Sequence, residues 1–175
     1  MSNDMKAAEF AAADSQTLAL IVHESDKRIA ALVQVLLATD SRSNTLLSAT
    51  SALAAAAFGV AASQYPTQGL SPLVLGSAVF ATCAASAAIA AVRALWPTEV
   101  DIQGWGPARF RSDLAAAKPY DLLLAEIAVH NQAKIDQNVQ CNAMIADRVR
   151  LTMILLASAP LSGALVALVR ALWRS

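Results

Sequence analysis

Residues 43–92 read SNTLLSATSALAAAAFGVAASQYPTQGLSPLVLGSAVFATCAASAAIAAV, 50 consecutive positions without an Asp, Glu, Lys or Arg. A soluble helix shows water a polar face, and this stretch offers only Ser, Thr, Asn and Gln for one. Charge-free apolar runs longer than about 18 residues read as transmembrane helices. Pro66 and Gly69, in the uncharged segment Ser63 to Ser71, predict a turn that divides the run into two spans. Asn44 to Gln64 gives 21 residues, about 31 Å of helix against a hydrocarbon layer of about 30 Å. Pro72 to Leu95 gives 24, enough to cross with tilt, and Trp96-Pro97 closes it. Residues 44–95 are thus expected to form a transmembrane hairpin. Ser48, Ala52 and Ala56 in the first span, and Ser77, Ala81 and Ala85 in the second, recur every four residues. Such stripes let helix backbones approach closely in lipid, so these six are the predicted helix-packing residues.

Upstream, residues 1–14 predict a flexible N-terminus and residues 15–43 an amphipathic helix. Leu18, Val22, Ile29, Leu32 and Leu36 fall at alternating spacings of four and three, with Ser25 in the missing slot. His23, Glu24, Asp26, Lys27 and Arg28 occupy the other faces, and Asp14 or Ser15 is placed to cap the start. No proline lies between Ser15 and Gln64, so this helix is expected to run directly into the first span.

Downstream, residues 96–119 read as a linker punctuated by Gly104, Gly106, Pro107 and Pro119, with Trp105 and Phe110 as surface anchors. Residues 120–150 predict a second amphipathic helix whose seam holds Leu124, Ala128, Asn131, Ile135, Asn138, Asn142, Ile145 and Val149. An asparagine in a helical seam costs stability but fixes register, and another asparagine at the same level satisfies it best. Asn131, Asn138 and Asn142 are therefore the predicted polar seam of an oligomeric stalk; the bland alternative is that they face water. Residues 151–172 form a third apolar stretch, uncharged over the 19 residues from Leu151 to Val169 and expected to kink at Pro160. The fold class that follows is all-α, a membrane protein with a two-span hairpin, a third kinked apolar helix and long cytoplasmic amphipathic helices.

Charge gives the orientation. Lys6, Lys27, Arg28 and Arg42 precede the first span, none lies in the turn after it, and Arg109, Arg111, Lys118, Lys134, Arg148 and Arg150 lie between the second and third spans. The positive-inside rule then predicts a cytoplasmic N-terminus and a cytoplasmic 96–150 segment, with Arg170 and Arg174 as the opposing minority.

The chain of 175 residues is 57% hydrophobic and 15% charged, where soluble domains run near roughly 45–50% and 25%. Forty alanines leave a greasy soluble bundle as the rival reading, which the unbroken charge gap opposes. Thirteen basic and thirteen acidic side chains cancel, which argues against a nucleic-acid partner. No phosphate loop, metalloprotease motif, nucleophile elbow or cysteine pair at metal spacing occurs, so no enzyme, cofactor or metal site is expected. Cys83 reads as a small apolar filler, Cys141 lies alone in a polar helix, and His23 and His130 read as surface or interface residues.

A pre-span helix, Asp40-Ser-Arg42 before the hairpin, Arg93-Ala-Leu-Trp-Pro97 at its exit and an asparagine-bearing helix leading to a further apolar stretch resemble the small membrane effectors of bacterial nucleotide-signalling antiviral immunity. These are the Pycsar-type transmembrane effectors and the related SLATT domains, and the likeness covers about residues 15–173. The resemblance implies an oligomeric bacterial inner-membrane protein that disrupts the bilayer in antiphage defence when a partner nucleotide cyclase makes a cyclic nucleotide. The chain contains no cyclic-nucleotide-binding module, so the nucleotide enters as a trigger by resemblance only. The alternative expectation is a structural or scaffolding membrane protein whose cytoplasmic helices hold a partner. A solute transporter is disfavoured by the absence of charge within the first two spans.

Overall fold

The computed structural model describes residues 10, 13–96, 100–104 and 107–173. The architecture is all-α, with no strand among the described residues. Its elements are α1 (Ser15–Gln68), α2 (Pro72–Ala94), a 3-10 turn (Pro107–Phe110), α3 (Arg111–Ala115) and α4 (Tyr120–Leu172). Helices α1, α2 and α4 are each long and apolar enough to cross a membrane. The chain forms two compact units, one from residues 1–37 and 98–143, the other from residues 38–97 and 144–175.

α1 is capped by Asp14, whose Oδ1 accepts the Thr17 N–H at 2.8 Å while Oδ2 accepts the Thr17 hydroxyl at 3.0 Å. These bonds favour the ionised carboxylate and hold it below its ordinary range. Because its folded pKa is depressed, the cap stabilises fully above pH ~4 and is lost as pH falls through the folded pKa. Asp14→Ala is therefore expected to increase amide hydrogen exchange over residues 15–18 at pH 7 and to leave it unchanged well below pH 3.

The hairpin turn is shorter than expected. α1 continues past Gln64 and through Pro66 to Gln68. A proline removes one i to i−4 bond, and side-chain bonds brace the last turns here: Ser63 Oγ to Val60 O, Thr67 Oγ1 to Gln64 O and Gln68 Nε2 to Gln64 Oε1. Gly69 ends the helix at φ +57°, its N–H returning to Tyr65 O at 2.9 Å, a conformation that glycine adopts without the usual Cβ penalty. Ser71 then accepts the Val74 N–H, and Pro72 occupies the first turn of α2.

The 96–119 segment is only partly linker, since it holds the 3-10 turn and α3. Lys118 ties its end to α4, donating to Glu126 at 2.6 Å and to Asp113 at 3.4 Å. The bond to Glu126 raises the Lys118 pKa above the usual lysine range. Phe110 is half-buried and lines a groove with Leu114 and Leu123, while Trp105, its expected co-anchor, lies outside the described residues, as does most of the 1–14 segment. α4 runs as a helix from Tyr120 to Leu172 with Pro160 inside it.

Candidate functional site

The first unit is a parallel pair of helical segments, residues 15–37 of α1 and 120–143 of α4, packed seam to seam. Leu18 and Leu124 share one core cluster with Ala125, against which Phe10, Ala13, Ala19 and Val22 pack. Asn131 Nδ2 donates to Ser25 Oγ at 2.8 Å across a separation of 106 residues, the same offset that relates Leu124 to Leu18. At that constant offset Ile135 stands level with Ile29 and Asn142 with Leu36; all but Asn142, which is half-buried, are buried. An in-register pair at fixed offset is parallel, so the chain between must return to its starting side before α4 begins.

The polar members of this seam are satisfied inside the chain. Asn131 is 1% exposed, and its amide also donates to Asp26 Oδ1 at 2.9 Å. Asn138 brackets the backbone of Asp101, accepting its N–H at 3.1 Å and donating to its carbonyl at 2.9 Å. Asn142 donates to Leu32 O at 3.2 Å. Lys134 is buried as well, its ammonium donating to the carbonyls of Ile102 and Gly104 at 2.9 and 3.2 Å. Buried polar groups are tolerated when paired in this way, and each pairing then fixes a geometry. The 100–104 strap is thereby bound to one face of α4.

The second unit reverses the usual distribution of side chains. Its buried positions are mostly small or hydroxylic, Thr50, Ala61, Gly76, Ala81, Ala84, Ala87, Ala90, Ala91, Ala94, Thr152, Ala159 and Gly163 among them, with Val74 and Ile145 as large exceptions among the described residues. Its exposed positions carry Phe58, Leu73, Ile89, Ile154, Leu161, Leu165 and Leu168. Water would favour the opposite arrangement, whereas lipid favours close backbone packing inside and large apolar side chains outside. The hydroxyls of Thr50, Thr82, Ser86, Thr152, Ser158 and Ser162 all donate to carbonyls three or four residues back in their own helix. The donors of these six hydroxyls are thus met within their own helices, whereas the buried Ser43 Oγ and Arg170 Nε find no partner among the described residues.

α2 and α4 cross at two glycines, Gly76 and Gly163. A Cβ at position 76 would lie 2.9 Å from Gly163 O and 3.1 Å from Ala167 Cβ; one at position 163 would lie 2.8 Å from Gly76 O and 3.2 Å from Phe80 Cβ. α2 and α4 therefore meet backbone to backbone, an approach that only glycine permits on both sides.

The six small residues singled out in the sequence separate into two groups. Ala81 is buried, and Ser77 is half-buried beside the glycine crossing in a groove shared with Pro160 and Phe80. Ser48, Ala52, Ala56 and Ala85 are exposed. Sequence reasoning missed both glycines, Lys134 and Ser25 as the partner of Asn131. The available signal was positional: Ser25 and Asn131 each fill the polar slot of a seam that is otherwise apolar. His23 is exposed and His130 half-buried. Among the described residues no group of three His, Cys, Asp or Glu side chains stands ready to hold a metal ion. Comparison with family models, curated proteins and solved structures finds no match.

Proposed function

We propose that the chain is a bacterial inner-membrane effector: residues 38–97 and 144–172 embed in the bilayer, the Asn-bearing unit stands in the cytoplasm, and self-association through exposed small-residue faces permeabilises the membrane when triggered. The observation that carries the reading is the inverted second unit, with alanine, glycine and threonine inside and phenylalanine, leucine and isoleucine outside. Such a surface in water would be one large apolar patch of the kind that soluble monomers avoid. The parallel pairing of the cytoplasmic segments supports an odd number of crossings, since α1 and α4 then enter the bilayer from the same side. Arg42, Arg93, Arg148 and Arg150 collect at the ends that face the cytoplasm, as the positive-inside rule requires. The part played by a cyclic nucleotide and a partner cyclase rests on the resemblance to Pycsar-type and SLATT-like effectors alone.

The surface of self-association is the stripe Ser48, Ala52, Ala56, which the protomer leaves uncovered. Ala81 is buried within the protomer, so a leucine there tests folding and not assembly. Overproduction in a bacterial host is expected to depolarise the inner membrane, read with a potential-sensitive dye. The Ala52→Leu/Ala56→Leu double variant should accumulate in the membrane to the same level and depolarise at least about tenfold less, since small-residue contacts are lost on larger side chains. A wild-type chain that never depolarises cells, even with its genomic neighbours, contradicts the effector reading. The second reading, a scaffold that anchors a partner-holding cytoplasmic unit, is favoured by one feature: the asparagine amides are spent on bonds within the chain, leaving an oligomeric stalk without its expected polar pairing.

A further inference from the structure

Within the second unit, the C-terminal end of α2 and the adjoining turns of α4 form a groove of about 590 Å³, within the size range of small-ligand sites, roughly 300–1,000 Å³. Its walls are of two kinds. Ile89, Leu151 and Leu155 form an apolar side, while Arg93, Arg148 and Ser86 supply polar groups and Trp96, 67% exposed, stands at the rim. Both arginines are cations without a carboxylate partner among the described residues, whereas Lys27 holds one and Lys118 two. Asp147 is a sequence neighbour of Arg148 but does not line the groove.

Arg148 has a structural task. Its Nη1 donates to Arg93 O at 2.7 Å and its Nη2 to Met144 Sδ at 3.2 Å. The first bond covers a carbonyl at the end of α2, where the helix dipole would otherwise repel an anion. A guanidinium carries five N–H donors, so these two bonds leave three for a ligand. The Arg93 guanidinium donates to nothing among the described residues and keeps its full set. Two guanidiniums and an indole N–H above an apolar wall fit a ligand that is anionic at one end and hydrocarbon at the other, because arginine pairs with phosphate oxygens through its planar fork.

We propose that this groove binds the phosphodiester headgroup of an anionic glycerophospholipid in the cytoplasmic leaflet, with its acyl chain along Ile89, Leu151 and Leu155. The assignment rests on the membrane reading given above, which places the groove at the leaflet surface. Basic pockets between helices on the cytoplasmic side recognise anionic headgroups there, and a tryptophan at the rim belongs to the same layer. A bound lipid would bridge α2 to α4 at the base of the inverted unit, so that anionic lipid content would bear on how the two helices are held together.

The test uses the full chain, purified in detergent and exchanged into nanodiscs holding equal phosphatidylglycerol and phosphatidylcholine, with the lipids that stay bound after release counted by native mass spectrometry. The expected result is one retained phosphatidylglycerol per protomer, preferred over phosphatidylcholine by on the order of tenfold or more for two basic contacts. Arg93→Gln removes a charge but keeps the backbone carbonyl that Arg148 covers, so it should reduce the preference severalfold with the fold intact; Arg93→Gln/Arg148→Gln should abolish it. Arg111→Gln, on α3 and not among the residues that line the groove, should leave the preference unchanged. Equal retention of both lipids by the wild type, or an unaltered preference in both groove variants, overturns the proposal. Retention of glycerophosphoglycerol as tightly as phosphatidylglycerol when the two are offered at equal concentration overturns the lipid assignment in favour of a soluble phosphodiester. Alkaline carbonate extraction separates the two levels: a chain that washes off membranes refutes the membrane reading and the lipid site together, whereas one that stays embedded without lipid preference refutes the site alone.

Discussion

Gly163→Ala is expected to destabilise the protein although alanine is the better helix former. The added methyl would sit 2.8 Å from Gly76 O, a backbone atom that cannot rotate away, so α2 and α4 must separate along the crossing. Overpacking of this kind costs about 1–3 kcal/mol, against about 1 kcal/mol gained in helix propensity. Gly163→Val adds bulk against the same carbonyl and against Phe80 and should exceed the alanine effect. Gly76→Ala should behave similarly, because its Cβ meets Gly163 O at 2.9 Å. Gly59→Ala is the internal control: nothing stands within 4 Å of its Cβ, so the same substitution there should be neutral or stabilising. Unfolding midpoints in mixed detergent measure all of these. The two crossing variants combined should cost less than their sum, since either one alone parts the helices.

Asn131→Leu is expected to remove about 1–3 kcal/mol from the first unit, because it takes away the amide donor from Ser25 Oγ, which keeps only its own bond to Val22 O, and from the Asp26 carboxylate, and sets an apolar group beside both. Thermal unfolding followed by far-ultraviolet circular dichroism reads the loss. Adding Ser25→Ala should recover part of it, since two apolar partners leave fewer polar atoms unpaired. The loss should not depend on protein concentration, because both partners of Asn131 belong to its own chain. A loss that shrinks at high concentration would place Asn131 between protomers, as a stalk of paired asparagines requires.

These two cases mark where the sequence was legible and where it was not. The seam positions Leu18, Ile29, Leu36, Leu124, Ile135 and Ile145 are buried in the structure, and they could be read in advance because a four-three repeat needs no knowledge of its partner. What faces each seam is a tertiary matter. Asn131 could have met another asparagine, water or any hydroxyl at its level; Ser25 meets it because α1 and α4 pair in parallel at one offset, a fact that no local pattern encodes. The small-residue stripes show the reverse difficulty. With forty alanines in the chain, a repeat of four does not say which face meets the protomer's own helices: Ser77 and Ala81 turn inward, while Ser48, Ala52, Ala56 and Ala85 stay exposed. The decisive contact belongs to two isolated glycines far apart in the sequence. α1 ends at Gln68, four residues beyond the expected Gln64, for a physical reason: Pro66 opposes a helix interior, but beside the last turn its missing N–H costs one bond that neighbouring side chains brace.

Cysteine accessibility tests the central claim most directly. In a Cys83→Ala/Cys141→Ala background, Thr67→Cys marks the exposed end of α1 and Gln140→Cys an exposed position on the Asn-bearing segment of α4. A membrane-impermeant maleimide applied to intact spheroplasts should label position 67 and leave position 140 unlabelled until the membrane is opened. Labelling of position 140 but not 67 in intact spheroplasts, or of neither until lysis, would contradict a bilayer-embedded second unit with its Asn-bearing partner in the cytoplasm.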